Sequence, residues 1–432
     1  MMTSRSWIDG RAGLGIGAAL VLALGGCGDD GTAGSGTEGS GSTGSATMAT
    51  DGTDPTASTG AQTTLDDADT TAGGTETEGG GEELLGSCEG QTLLPRPADT
   101  AQPGPWAVGA RTVQIDGLTV EVWYPAEPGS EAGVDAVVYD IRQALPVSEQ
   151  DKIPDEDNPY QACDCYRDLP IDAGHGPYPT VLFVHGTAGF RTQSLPQMTH
   201  WASRGFVVMA ADHPGLWLAD LLGSICGGPM VPRDLAADLA SMLAAARGEI
   251  PGLEALGDRI DGDRIGTAGH SAGGGAVAPT GDFAQVVIPM AAGGVEAGPQ
   301  LQSSLVLGAL ADSVVPFTSQ IDGYDSTPAR KRLVGIANTG HLAFAGLCSL
   351  SNDAGEDLLE IANNYEVCGV AFAGALFQCD DSFLPDPEAW EIIDFSSSAV
   401  LEETLHCEPA AVEQLSLIQG RYPVVLEFRE EL

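Results

Sequence analysis

Residues 264–275 read Arg264-Ile265-Gly266-Thr267-Ala268-Gly269-His270-Ser271-Ala272-Gly273-Gly274-Gly275. The first six form a short run that fits a buried strand, and a helix is expected from about residue 272. Between the two lies Gly269-His270-Ser271-Ala272-Gly273, a G-x-S-x-G pattern. In a strand–turn–helix context this pattern makes a sharp elbow that exposes the serine hydroxyl at the carboxyl end of the strand. The backbone there is crowded, so the flanking residues must be small. Ser271 is therefore the candidate nucleophile. His270 would point away from it and reads as structural.

The same alternation extends on both sides. PTVLFVHG (179–186) and GFVVMAA (205–211) read as strands, and residues 195–204 as a helix. RDLAADLASMLAAAR (233–247) places Leu235, Leu239, Met242, Leu243 and Ala246 on one helical face, with Asp234 in the first turn and Arg247 in the last to suit the helix dipole. QVVIPMAAG, SSLVLGAL and RLVGIAN supply strands near 285, 304 and 332. Such alternation predicts an α/β fold with a mostly parallel central sheet and helices on both faces. Upstream, TVQI-DG-LTVEVWYP reads as a hairpin turning at Asp116-Gly117. Residues 126–178, rich in Pro, Asp and Gly, read as an irregular insertion.

A serine hydroxyl needs a base, and in this type of fold the acid and then the histidine follow the serine. Asp312 stands just after SSLVLGAL, and His341 just after RLVGIAN. Asp322 and Asp325 are rivals for the acid. His406 is the other histidine beyond Asp312, and it lies in a cysteine-bearing tail. In this reading His341 takes the Ser271 proton while Asp312 orients the ring. The oxyanion needs two backbone donors, for which Ala272 N–H and Thr187 N–H are the candidates. His185 reads as a loop-shaping residue, and Phe190 and Trp217 as pocket lining or plain core.

VEVWYP, VLFVHGTAGFRTQ, WASRGFVVMAADHPG and RIGTAGHSAGG together resemble the dienelactone-hydrolase-like group that includes platelet-activating-factor acetylhydrolases. GHSAGGG with ADSVVP is also similar to bacterial cutinase-like and polyester hydrolases. The resemblance runs from about residue 110 to 345. It implies an α/β-hydrolase fold and a metal-independent serine esterase without a cofactor. The triad would be Ser271, Asp312 and His341, and the oxyanion donors Thr187 and Ala272. The implied substrates are small or polymeric carboxylic esters: short acyl, phospholipid or polyester. A peptidase or amidase would use the same triad. A surface binding lipoprotein that has lost activity is a further alternative.

The chain carries a formal net charge of −43, with lysine only at 152 and 331. Such a field repels nucleic acid. Residues 1–26 read as a signal peptide, with Arg5 and Arg11 before an apolar run too short for a confident membrane span. The run ends Leu24-Gly25-Gly26-Cys27, which resembles a bacterial lipobox and makes Cys27 the candidate lipidation site. Residues 27–86 are almost entirely Gly, Ser, Thr, Ala, Asp and Glu and read as a disordered acidic tether, about 45 Å across as a flexible coil. Residues 87–432 then form the catalytic domain, with the insertion at 126–178 and a C-terminal extension at 346–432. Its eight cysteines (88, 163, 165, 226, 348, 368, 379 and 407) suggest disulfides in an exported chain. Cys163 and Cys165 are expected to pair with distant partners rather than with each other. No Cys-x-x-Cys with matching histidines appears, so no metal is expected. The expected location is extracytoplasmic, with the lipid anchor as the sole membrane contact.

Overall fold

A computed structural model describes residues 88–374 and 376–432. The signal segment, the tether and Cys27 lie outside these residues. The described chain builds one eleven-stranded sheet. Its strands are β1 (Val108–Ile115), β2 (Leu118–Pro125), β3 (Ala136–Tyr139), β4 (Gln161–Arg167), β5 (Tyr178–Val184), β6 (Val207–Ala211), β7 (Ile260–His270), β8 (Val286–Met290), β9 (Ser303–Ala309), β10 (Lys331–Ile336) and β11 (Val425–Glu431). Their spatial order is β11-β10-β9-β8-β7-β5-β6-β2-β1-β4-β3. From β6 to β10 all pairings are parallel. The order reverses at β5, which lies between β6 and β7; a crevice at the carboxyl ends of the strands is expected at such a switch point.

Each central strand is buried on both faces, which explains its continuous apolar run. Within β5, Val181 and Phe183 join one apolar layer while Leu182 and Val184 join the other. The first layer is covered by α1 (Leu195–Ser203) and a long C-terminal helix, the second by α3 (Leu235–Ala246) and α4 (Ala272–Val277). Between these, α2 (Leu218–Ile225) follows β6. The mostly parallel α/β fold with helices on both faces is thus as expected. The hairpin also forms, with β1 and β2 antiparallel and Asp116-Gly117 at the turn. Asp234 caps α3 by accepting from Ala237 N–H at 3.0 Å.

Two expectations need correction. Residues 126–178 are not merely irregular, because β3 and β4 extend the sheet beyond β1. Cys163 and Cys165 bond to each other. The reason is pleating: residues two apart on β4 face the same side, and both cysteines are buried while Ala162 and Asp164 are exposed. The remaining pairs are Cys88–Cys407, Cys226–Cys368 and Cys348–Cys379. Four disulfides fit an oxidising compartment. No helix among the described residues is long and apolar enough to cross a membrane.

Residues 346–432, the C-terminal extension, are built into the same sheet and core. They supply β11 at one sheet edge and α7 (Asp386–Leu405), nearly all of which is buried against α1 and strands β7 to β9. Between α5 (Phe317–Ser326) and this helix lies the short α6 (Leu358–Asn364). Glu402 and Glu403 of α7 are buried where each meets a cationic partner. Arg204 donates to Glu402, and Arg332 forks onto Glu403 at 2.8 and 3.1 Å. Removing one partner of a buried pair strands the other charge. Glu403→Gln should therefore lower unfolding stability by about 3 kcal/mol, read as a drop in urea midpoint at unchanged slope.

Candidate active site

Four strand ends deliver the site. Ser271 follows β7, the loop of Gly186 and Thr187 follows β5, Asp312 follows β9 and His341 follows β10. Ser271 has φ +56° and ψ −119°, a conformation rarely held by a residue with a side chain. Its surroundings enforce this turn. A Cβ at Gly273 would lie 2.1 Å from the Val184 carbonyl oxygen, and one at Gly269 would lie 2.4 Å from the Gly273 carbonyl carbon. Only glycine fits either position, so both ends of the G-x-S-x-G pattern have a steric cause. Ser271 N–H donates to the Met290 carbonyl at 2.9 Å and fastens the elbow to β8.

The three predicted side chains meet. Ser271 Oγ lies 2.9 Å from His341 Nε2, and His341 Nδ1 lies 2.8 Å from Asp312 Oδ2. His341 and Asp312 are buried, while Ser271 is partly exposed. The Asp312 carboxylate also accepts from Val314 N–H at 2.8 Å, Val315 N–H at 2.9 Å and Gln320 Nε2 at 3.2 Å. The rival acids are elsewhere: Asp322 is exposed on α5, and Asp325 ion-pairs with Arg429. His406 is buried against the Phe206 ring and bonds Gln91.

Gln378 was not singled out from sequence. Its Oε1 accepts from Ser313 N–H at 3.1 Å and His341 N–H at 3.4 Å, while its Nε2 donates to the Ala311 carbonyl at 3.0 Å. One amide from the C-terminal segment thus bridges the acid loop and the base loop. Gly340 makes room for it, since a Cβ there would lie 2.6 Å from Gln378 Cβ. Gln320 plays a similar part for Asp312. A lone glutamine between Phe377 and Cys379 carries no pattern that marks such a role.

The loop after β5 abuts the nucleophile. A Cβ at Gly186 would lie 3.3 Å from Ser271 Cβ. Neither Thr187 N–H nor Ala272 N–H donates to another group among the described residues. Both are therefore free to receive a negatively charged oxygen. His185 shapes this loop: its Nδ1 donates to the Gly186 carbonyl at 2.8 Å, and its Nε2 accepts from His213 N–H at 3.2 Å. Burial pushes the His185 ring down to about 3, so it is neutral at physiological pH. Phe190 and Trp217 belong to one apolar cluster with Leu342, the residue after the base. Phe190 is buried, whereas Trp217 is partly exposed. Among the described residues no group of His, Cys, Asp and Glu could hold a metal ion.

Two clefts differ in their relation to the three converging groups. One of about 350 Å³ is lined by Gly340, Ala343, Gln378 and Asp386 and flanks the turn that carries His341. A larger one of about 500 Å³ sits at the start of β7, beside Glu254 and Ile260, and contains none of the three converging groups.

Residues 156–215 match the family model described as platelet-activating factor acetylhydrolase, isoform II. No curated protein matches the sequence. The matched stretch runs from β4 to the end of β6 and includes Gly186 and Thr187. It supports a lipase or esterase type of hydrolase on an α/β-hydrolase fold. It ends before Ser271, Asp312 and His341, so their arrangement rests on geometry alone.

Gly273→Ala should fail to keep the elbow, because its methyl would collide with the β5 backbone rather than with a movable side chain. The expected cost is about 3 kcal/mol or more, read by thermal or urea unfolding. A wild-type midpoint in this variant would contradict the packing described.

Proposed function

We propose that this chain is an exported, lipid-anchored serine hydrolase that cleaves carboxylic esters through an acyl-enzyme on Ser271. The observation that carries this reading is the unbroken hydrogen-bond chain from Ser271 Oγ through His341 to Asp312. His341 Nε2 takes the serine proton as Oγ attacks the acyl carbon, and Asp312 holds the imidazolium that results. The negative oxygen develops beside Thr187 N–H and Ala272 N–H, where fixed donors lower the barrier. His341 returns its proton to the departing alcohol. A water activated by the same ring then releases the acyl group and frees Ser271. Nothing in this sequence of steps needs a cofactor.

The apolar cluster of Phe190, Trp217 and Leu342 beside the base favours an acyl chain over a polar peptide. Short acyl, phospholipid or polyester substrates all share that apolar acyl group. Cys27 would carry the lipid that anchors the protein to a bacterial membrane, and residues 27–86 would hold the domain away from it. The four disulfides favour the same oxidising side of that membrane.

A fluorophosphonate probe should label the wild type and leave Ser271→Ala unlabelled. Asp312→Asn should lower kcat on p-nitrophenyl esters by about 10⁴-fold, since the asparagine favours the wrong ring tautomer. Equal labelling of Ser271→Ala would remove the assignment, and faster turnover of peptide anilides than of esters would redirect it to amide hydrolysis. Separately, Cys27→Ser should move the protein from the membrane fraction to the soluble fraction. Retention of that variant on the membrane would contradict the anchor.

A further inference from the structure

Two buried side chains that the reaction does not consume lie between the two halves of this site. Gln193 and His270 are each about 2% exposed. Gln193 Oε1 lies 3.3 Å from Gly186 N, and Gln193 Nε2 lies 3.2 Å from His270 Nδ1. His270 Nε2 lies 2.9 Å from the carbonyl oxygen of His341. A second branch leaves the same glutamine: Nε2 lies 3.4 Å from Ser194 Oγ, which donates to the Phe344 carbonyl at 2.7 Å. His341 and Phe344 are the first and last residues of the single helical turn that carries the base.

The chemistry of the two ends fixes the direction of every bond between them. Gly186 N–H can only donate, so Gln193 must offer its oxygen there and its nitrogen to His270. His270 Nδ1 must then accept, which leaves the proton on Nε2. The His341 carbonyl can only accept, so the order is self-consistent from end to end. Reversing any member would set two donors or two acceptors against each other in a buried place. Burial, with His341 beside it, holds the His270 ring well below its ordinary range and keeps it neutral in this role. The glycines of the loop are sized to this path. A Cβ at Gly189 would lie 2.1 Å from Gln193 Oε1, and one at Gly186 would lie 2.8 Å from His270 Nδ1.

We propose that Gln193 and His270 are positioning residues that lock the Thr187 loop and the His341 turn into one register through this directed hydrogen-bond relay. The inference rests on the reading of the site as hydrolytic. The relay touches no substrate. It sets the distance between the group that takes the proton and the backbone donors that receive the oxyanion. An error of about 1 Å in such a register costs on the order of 10²-fold in rate. The residue before the nucleophile is thus tied to the backbone of the base.

The test uses wild type, Gln193→Met, His270→Gln and His270→Phe, with kcat and KM on a p-nitrophenyl ester measured per fluorophosphonate-titrated site. Counting only reactive sites excludes unfolded molecules from the rate. Gln193→Met should lose about 10-fold to 100-fold in kcat with KM within about twofold of wild type. His270→Gln, whose amide nitrogen can reach the place of Nε2 and donate to the His341 carbonyl, should retain at least about tenfold more kcat than His270→Phe. Wild-type kcat per titrated site in Gln193→Met, or equal kcat in the two His270 variants, would overturn the relay while leaving the esterase reading intact. A wild type that turns over no ester would instead sink the esterase reading and the relay's role with it.

Discussion

The position of one imidazole governs the rest of this molecule. His341 must face a serine hydroxyl on one nitrogen and a carboxylate on the other, and its partners come from distant parts of the chain. The parallel sheet solves the problem geometrically. Strands β7, β9 and β10 run in the same direction, so their carboxyl ends open onto one edge and the residues just beyond them become neighbours. Loop-to-loop bonds refine this placement: Ala311 N–H donates to the Thr339 carbonyl, and Gln378 bridges both loops. The strain stored in the Ser271 backbone is held by contacts that leave glycine as the sole residue that fits on either side.

That geometry is bought with buried charge elsewhere. The helix that covers the sheet from β7 to β9 carries Glu402 and Glu403 inward, where they meet Arg204 and Arg332. Trp201 likewise donates its ring N–H to Ser397 of the same helix at 2.9 Å. These contacts are directional, so they fix where α7 sits along the sheet more sharply than apolar packing would. The Cys88–Cys407 disulfide lies just beyond the helix end and ties it to the first described residue. The C-terminal segment is therefore both a wall of the core and, through Gln378, a support of the catalytic loops.

How much of this was legible depended on whether the cause was local. Buried parallel strands are short apolar runs, and PTVLFVHG or SSLVLGAL can be read without knowing any partner. The nucleophile elbow is a local steric device with a local pattern, and Asp312 and His341 follow from chain order. The long helix was missed because EIIDFSSSAVLEETL places serines and glutamates at buried positions, and their partners stand far away in sequence. β11 is rich in charge and pairs at a sheet edge, so it lacks the alternation that marks a strand. The Cys163–Cys165 pairing went against expectation because two residues of one strand face share a side. Gln193, Gln320 and Gln378 act through amides whose partners are backbone groups and side chains that the fold brings together, and no residue spacing encodes that.

The central claim is that chemistry passes covalently through Ser271 under the control of His341. It is tested most directly by quenching the protein in acid during turnover of a slowly deacylating ester and mapping the modified peptide by mass spectrometry. The account predicts the mass of one acyl group on the peptide containing Ser271, absent when His341 is replaced by alanine. Steady ester turnover with the acyl group on another residue would contradict it.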